Sequence, residues 1–338
     1  MIFGGIATTI PDATEHNREC MKRVLVTGAA GFIGSHVAEK LLARGDEVIG
    51  IDNVNDYYPV QYKRENIALL KGSPRFSFIE GDICDREIVS DLFGRNEISH
   101  VAHLAARAGV RPSIENPFIY QEANVQGTLT VLDAARSAGV QNTVITSSSS
   151  VYGNSTQIPF REDDSATDRP ISPYAATKKA TEVLAHTYYS LYGMNINVVR
   201  PFTVYGPRGR PDMAPWLFLS AALDGKSIRK FGDGSTRRDY TFIDDFAAGF
   251  VNAIDREFGY EIFNLGNSAT VSLNEALATV ESVTGKNLTI EQLPAQPGDV
   301  NLTNADISKA RSKLGYEPKT SFREGMKRFH DWFVRARR

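Results

Sequence analysis

A chain of 338 residues, 42% hydrophobic and 23% charged, can bury a substantial core and is long enough for two lobes. A formal net charge of -2 with no locally basic groove gives nucleic acid no footing, and no apolar run approaches the ~20 residues that cross a bilayer. Cys20 and Cys84 are the only cysteines, too few for a disulfide framework or a metal site, so no metal is expected and a reducing compartment, by default the cytoplasm, is. The leading MIFGGIATTIPDATEHNREC lacks a basic start and a real apolar stretch, so residues 1–21 read as a flexible extension rather than a secretion signal.

Residues 24–27 read as a short buried strand, Gly28, Gly31 and Gly34 as a tight turn, and Phe32 onward as a helix. Glycines suit that turn because the backbone must bend sharply and come close to a pyrophosphate, which the free N–H groups and positive helix end attract. Gly28, Gly31, Phe32, Ile33 and Gly34 are therefore the candidate seat of a dinucleotide. Three spaced glycines alone also describe an ordinary strand-to-helix turn; the next segment adds the context. The apolar run 47–51 ends in Asp52, placed to accept hydrogen bonds from the adenosine ribose, with Asn53 beside it. A phosphorylated ribose would meet the negative charge of Asp52, and no arginine follows to receive it, so NAD is expected rather than NADP.

Strand and helix then alternate: strand 75–80, helix 86–93, strand 99–103, a long helix 117–137, strand 142–147, helix 173–192 and strand 195–199. Alternation of this kind builds a parallel sheet, and crossovers bring the glycine turn, Asp52, residues 104–107 and 147–150 to its carboxyl edge, where such folds bind ligands. From Pro201 the texture changes: PFTVYGPRGRPDMAPW, KFGDGSTRRDYTFIDDF and QPGDVNLTNADISKA read as substrate loops, with helices near 213–223, 244–253 and 273–283 between them. Residues 261–265 read as a strand returning to the main sheet. The expected architecture is a doubly wound, Rossmann-like α/β sheet with a smaller, partly interleaved C-terminal substrate lobe, divided near residue 200 into a dinucleotide-binding part, 22–200, and a lobe, 201–338. The carboxy-terminal helix, carrying Phe322, Met326, Phe329, Trp332 and Phe333, reads as docked core.

Tyr174 and Lys178, four apart on a helix, share one face. A phenol titrates near ~10 when free, and a cation about 4 Å away at an effective dielectric of about 20 contributes roughly 4 kcal/mol, about three pH units. Lys178, with a positive nicotinamide ring, is expected to make Tyr174 a base at working pH and to anchor the nicotinamide ribose. The hydroxyl-rich stretch from Thr146 to Ser150 precedes Val151-Tyr152-Gly153 at the crevice, and Ser148 is the candidate donor to a reacting oxygen.

TGAAGFIGSH, GDICD, HLAARAGVR, NPFIYQEANVQGT, SSSSVYG, SPYAATKKATE, RPFTVYGPRGRPDMA and RRDYTFIDD occur in this order over about residues 22–335. In these pieces the chain resembles the extended short-chain dehydrogenases/reductases of the nucleotide-sugar epimerase and dehydratase group. The resemblance implies that Asp82 and Ile83 flank the adenine and that Leu104, Ala105 and Ala106 line the cofactor. It also implies that Arg238 with Asp299 meets the nucleotide of a UDP-sugar, and that two copies pair through helices 117–137 and 173–192. Asn124 enters either as a site residue or as a structural one. Related dehydratases carry an acidic pair just before VYG and related decarboxylases a glutamate; this chain has Ser149 and Ser150, which leaves redox at C4 and hence epimerisation.

GPRGRPDMA together with NDYY at 55–58 resembles the UDP-glucuronate 4-epimerases more than the UDP-galactose type. Arg210 can grip a planar carboxylate by two hydrogen bonds, with Thr203, Ser149 and Ser150 completing a polar cage for a UDP-hexuronic acid. Contact with phosphate, or capping of a loop, are the other roles open to Arg210. The 4-keto uronate intermediate is a β-keto acid that loses carbon dioxide when its carboxylate lies perpendicular to the ketone plane, so a held carboxylate protects it. The alternatives are a UDP-glucose/UDP-galactose 4-epimerase, a UDP-glucuronate decarboxylase, or an NAD-sensing binding protein without catalysis.

Overall fold

The computed structural model describes residues 21–294 and 301–336. The segment 1–20, read above as part of an extension, and Asp299 lie outside the described residues. In chain order the first part runs β1 (Arg23–Thr27), α1 (Phe32–Ala43), β2 (Glu47–Asp52), α2 (Val60–Leu70), β3 (Phe76–Glu80), α3 (Arg86–Arg95), β4 (His100–His103), the short helices α4 (Val110–Glu115) and α5 (Pro117–Tyr120), α6 (Gly127–Ser137), β5 (Asn142–Thr146), α7 (Pro173–Tyr192) and β6 (Ile196–Pro201). The second part adds β7 (Thr203–Tyr205), α8 (Ala214–Asp224), β8 (Ser227–Phe231), β9 (Arg237–Phe242), α9 (Ile243–Ile254), β10 (Tyr260–Leu265), β11 (Thr270–Ser272), α10 (Leu273–Thr284), β12 (Thr289–Leu293), α11 (Ser308–Leu314) and α12 (Phe322–Ala336).

Seven strands form one sheet in the order β10-β6-β5-β4-β1-β2-β3, every neighbouring pair parallel. Its strands are apolar on both faces because helices cover both. Val24 and Val26 of β1 join one core with Val37 and Leu41 of α1 and Phe246 and Phe250 of α9. Leu25, pointing the other way, joins a second core with Leu92 of α3, Leu132 of α6 and Ala185 of α7. The strand order reverses between β1 and β4, and the crevice outside the carboxyl ends of those strands is where an open α/β sheet takes a ligand.

β10 lies beside β6, so the part of the chain after residue 200 both completes the main sheet and builds a smaller lobe. That lobe holds a three-stranded sheet, β11-β9-β7, and a two-stranded one, β12-β8. KFGDGSTRRDYTFIDDF, read above as a loop, contains the end of β8, all of β9 and the start of α9. The alternation that marks a half-exposed strand is missing because β9 is buried on both faces from Asp239 to Phe242. Phe322, Met326, Phe329 and Phe333 of α12 are buried, and Phe333 meets Trp216 of α8 edge-on at 4.7 Å between ring centroids. Residues 117–137 are not one regular helix: a π-helical turn, Gln121–Gln126, separates α5 from α6. Among the described residues no helix is long and apolar enough to cross a membrane.

Candidate active site

The glycine turn sits at the strand reversal. Gly28 has φ +70, and a Cβ there would lie 2.8 Å from the backbone nitrogen of Ala105 on the neighbouring β4 loop. A Cβ on Gly34 would lie 2.0 Å from the Gly28 carbonyl oxygen, so the turn tolerates no side chain at either position. Helix α1 starts at Gly31 without a side-chain cap, leaving first-turn N–H groups and the positive dipole end to an anion. Phe32, Ile33 and Gly34 carry these first-turn groups. The cradle fits a dinucleotide diphosphate.

Asp52, ending β2, is buried; its oxygens take the N–H of Ala30 (3.2 Å) and of Val54 (2.8 Å), the latter a β-branched residue held at φ +47. Burial raises the Asp52 carboxyl above its ordinary range, opposed by Lys63 at 3.9 Å. Lys63 was not signalled by sequence spacing; it also donates to Asn55 at 3.0 Å. Asn53 donates to Asp82 at 2.7 Å, which brings the two together at one edge of the crevice. Ile83 is packed in the core against Gly127, so it can meet a ligand only through its backbone.

Thr27, which sequence reasoning passed over, organises the floor between these parts. Its hydroxyl oxygen accepts the N–H groups of Leu104 (3.1 Å) and Ala105 (3.0 Å) and donates to His103 Nδ1 at 2.8 Å. His103 Nε2 then donates to Thr128 at 2.9 Å, and Thr128 to the Asn124 carbonyl. Complete burial lowers His103 to about 3, so it is a neutral ring with one defined tautomer. Ala106 is exposed beyond this bridge. Asn124, on the π turn, accepts the Arg107 N–H (2.7 Å) and donates to the Arg107 carbonyl (3.0 Å) and to Thr177 (2.9 Å). Its side chain ties the β4 loop to α7.

Helix α7 begins with Ser172 accepting the Ala175 N–H at 3.1 Å and Pro173 at its first position, which sets Tyr174 and Lys178 on the inner face. The backbone N–H of Tyr174 donates to Ser113 at 3.1 Å, and its ring meets Tyr120 edge-on at 6.1 Å. The Lys178 ammonium donates to the Thr146 carbonyl at 2.8 Å, at the end of β5, and burial lowers it to about 8, which leaves it largely protonated at neutral pH. Burial raises the Tyr174 phenol, while the nearby Ser148 hydroxyl and the charge of Arg210 pull it down.

Ser148 also caps the turn Ser149–Tyr152, accepting the Ser150 N–H at 3.1 Å. Beneath it Ser147 donates to Glu182 at 2.6 Å, and Glu182 is bidentate with the buried Arg200, which reaches the Tyr152 hydroxyl at 2.9 Å. Ser149, Ser150 and Thr203 are half-buried. Arg210 approaches the site with its guanidinium carbon 5.4 Å from the centre of the Tyr57 ring and its fork on Asp212, at 3.0 and 2.6 Å. Arg238, on β9, donates to the Arg237 carbonyl at 2.9 Å. Tyr57 and Arg107 act through residues distant in the chain, which leaves no spacing signal, whereas Asp212 stands only two residues from Arg210 within GPRGRPDMA.

A parallel sheet with a glycine turn at its reversal point, and Tyr174 and Lys178 on one helix face below it, define an extended short-chain dehydrogenase/reductase. Residues 25–329 match the GDP-mannose 4,6 dehydratase family, and the chain belongs to that family. It is 46% identical over 309 residues to a UDP-glucuronate 4-epimerase of Thermodesulfobacterium geofontis, covering 91% of this chain and 95% of that protein. It superposes with a TM-score of 0.87 and 37% identity on a UDP-glucuronic acid 4-epimerase of Bacillus cereus in complex with UDP-glucuronic acid and NAD, over 93% of this chain and 99% of that one. A UDP-glucose 4-epimerase of Thermotoga maritima with UDP-glucose gives 0.86 and 32%, over 94% and 100%.

Proposed function

We propose that the protein is an isomerase that converts UDP-glucuronate to UDP-galacturonate by NAD-dependent epimerisation at C4. The observation that carries the uronate is the Arg210 guanidinium, held by Asp212 and the Tyr57 ring at the crevice, with its charge felt by the Tyr174 phenol. Gly28, Gly31, Phe32, Ile33 and Gly34 would hold the NAD diphosphate, Asp52 the ribose, Asn53, Asp82 and Ile83 the adenine end, Leu104, Ala105 and Ala106 its flank, and Lys178 the nicotinamide ribose. NAD held there would supply the acceptor and donor for the hydride at C4. Tyr174 removes the 4-hydroxyl proton as the C4 carbonyl forms and returns it on the way back, and Ser148 hydrogen-bonds the same oxygen. The Lys178 ammonium, one helical turn along from Tyr174, favours the phenolate once substrate and cofactor close the site.

Between the two hydride steps the 4-keto uronate can lose its C6 carboxylate. Arg210, with Ser149, Ser150 and Thr203, is assigned the task of holding that carboxylate with its charge localised, while Arg238 and Asp299 take the nucleotide. A second reading, a UDP-glucose/UDP-galactose 4-epimerase, has in its favour that Asp212 already neutralises the Arg210 fork. Incubation with UDP-glucuronate and UDP-glucose in parallel separates the two: UDP-galacturonate as the main product supports the proposal, and preference for UDP-glucose or release of a pentose product refutes it. The same reading includes a homodimer through the helices of 117–137 and 173–192, on which Phe118, Val183 and Leu191 are exposed, and a cytoplasmic location, supported by the sparse cysteines.

A further inference from the structure

We propose that Asp212 and Tyr57 are positioning residues that fix the Arg210 guanidinium so that one defined edge of it meets the substrate carboxylate; this rests on the reading of the protein as a UDP-glucuronate 4-epimerase. A guanidinium offers a carboxylate two edges, one formed by Nε and Nη2 and the other by the two terminal nitrogens. Asp212 fills the first: Nε donates to its Oδ1 at 3.0 Å and Nη2 to its Oδ2 at 2.6 Å. The guanidinium carbon lies over the Tyr57 ring, 5.4 Å from its centroid. With the Nε/Nη2 edge taken, the terminal edge is the one left for a carboxylate to grip by two hydrogen bonds.

The Tyr57 ring is itself fixed. Its hydroxyl donates to the Ala108 carbonyl at 2.7 Å, its N–H to Asn55 at 3.2 Å, and the Arg107 guanidinium lies 4.3 Å from its centre. Arg107 is in turn held at both its backbone N–H and its carbonyl by Asn124. A line of contacts therefore runs from the π turn through Arg107 and Tyr57 to Arg210. Asp212 is half exposed, at 46%, whereas Arg210 is 18% exposed, so the pair reaches from solvent into the crevice.

Decarboxylation of the 4-keto intermediate breaks the C5–C6 bond; its electron pair moves onto C5 and the C4 oxygen as an enolate, carbon dioxide leaves, and a proton is then taken up at C5. The step is fast only when the breaking bond stands perpendicular to the carbonyl plane, so the angle at which the carboxylate is held decides the partition between return of hydride and loss of carbon dioxide. An Arg210 free to swivel would still bind the carboxylate but would not hold that angle.

The test is the fraction of turnovers ending in carbon dioxide, measured with UDP-glucuronate labelled at C6, together with KM. This fraction counts only molecules that react and is insensitive to how much variant is folded. Asp212→Asn should raise it about tenfold with KM changed by less than about threefold, and Tyr57→Leu about threefold. Asp212→Glu and Tyr57→Phe, which keep the carboxylate and the ring face, should return it to within about twofold of the starting value. The proposal is overturned if Arg210→Ala leaks carbon dioxide while Asp212→Asn and Tyr57→Leu partition normally, or if Asp212→Asn only lowers KM, the mark of a competing rather than a positioning carboxylate. If the unsubstituted protein makes no UDP-galacturonate, or Arg210→Ala leaves the partition unchanged, the underlying reading fails and this proposal with it.

Discussion

The two sides of the crevice are held in place by different means. On the sheet side, Thr27 is in register with Ile51 on one flank and His103 on the other, so the residues beyond β1, β2 and β4 are positioned by parallel ladders buried between two cores. On the lobe side, Arg210 is positioned by a partly exposed ion pair and one aromatic face. Ladders are cooperative and dry, whereas an ion pair near solvent contributes about 0–1 kcal/mol. Substitutions on the sheet side should therefore alter activity or stability strongly, and those around Arg210 should change what the site makes more than whether the protein folds.

The largest expected effect is at the base. Tyr174→Phe should lower kcat about 10³-fold, roughly 4 kcal/mol of transition-state stabilisation, without change in thermal midpoint. Next is the glycine cradle: Gly34→Ala places a Cβ 2.0 Å from the Gly28 carbonyl, and should destabilise by about 3 kcal/mol and abolish NAD retention, read by denaturant unfolding and by absorbance of the purified protein. A smaller effect tests the Thr27–His103–Thr128 bridge. His103 is held at about 3 when folded, well below its unfolded value, so the stability it contributes is complete above the unfolded pKa of about 6.5 and is lost as pH falls from there toward 3. His103→Asn should flatten the dependence of unfolding free energy on pH in that window by about 1.4 kcal/mol per pH unit. An equal slope in both proteins would mean that the ring is charged when folded. The smallest effect belongs to the lobe side: Asp212→Asn should shift the unfolding free energy by less than about 1 kcal/mol. A larger loss would erase the contrast between the two sides.

The same contrast explains what was legible in the sequence. The glycine turn, Asp52 and the Tyr174/Lys178 pair show because their spacing is their geometry: a strand, a turn and one helical repeat place them. The strand 261–265 shows because it is a short apolar run between turn signals, and β10 is found there. β9 does not show, since its polar residues are inside: Asp239 takes the N–H groups of Asn267, Ser268 and Ala305, which lie far from it in the chain. Lys63 beside Asp52, and Tyr57 beneath Arg210, were hidden for the same reason.

The central claim is that hydrogen leaves and returns at C4 within a single site. Turnover of UDP-glucuronate carrying deuterium at C4, followed by nuclear magnetic resonance of the product in ordinary water, tests it most directly. The account predicts UDP-galacturonate with the deuterium retained at C4 and no solvent hydrogen gained at C5; loss of the label to solvent, or exchange at C5, would contradict it.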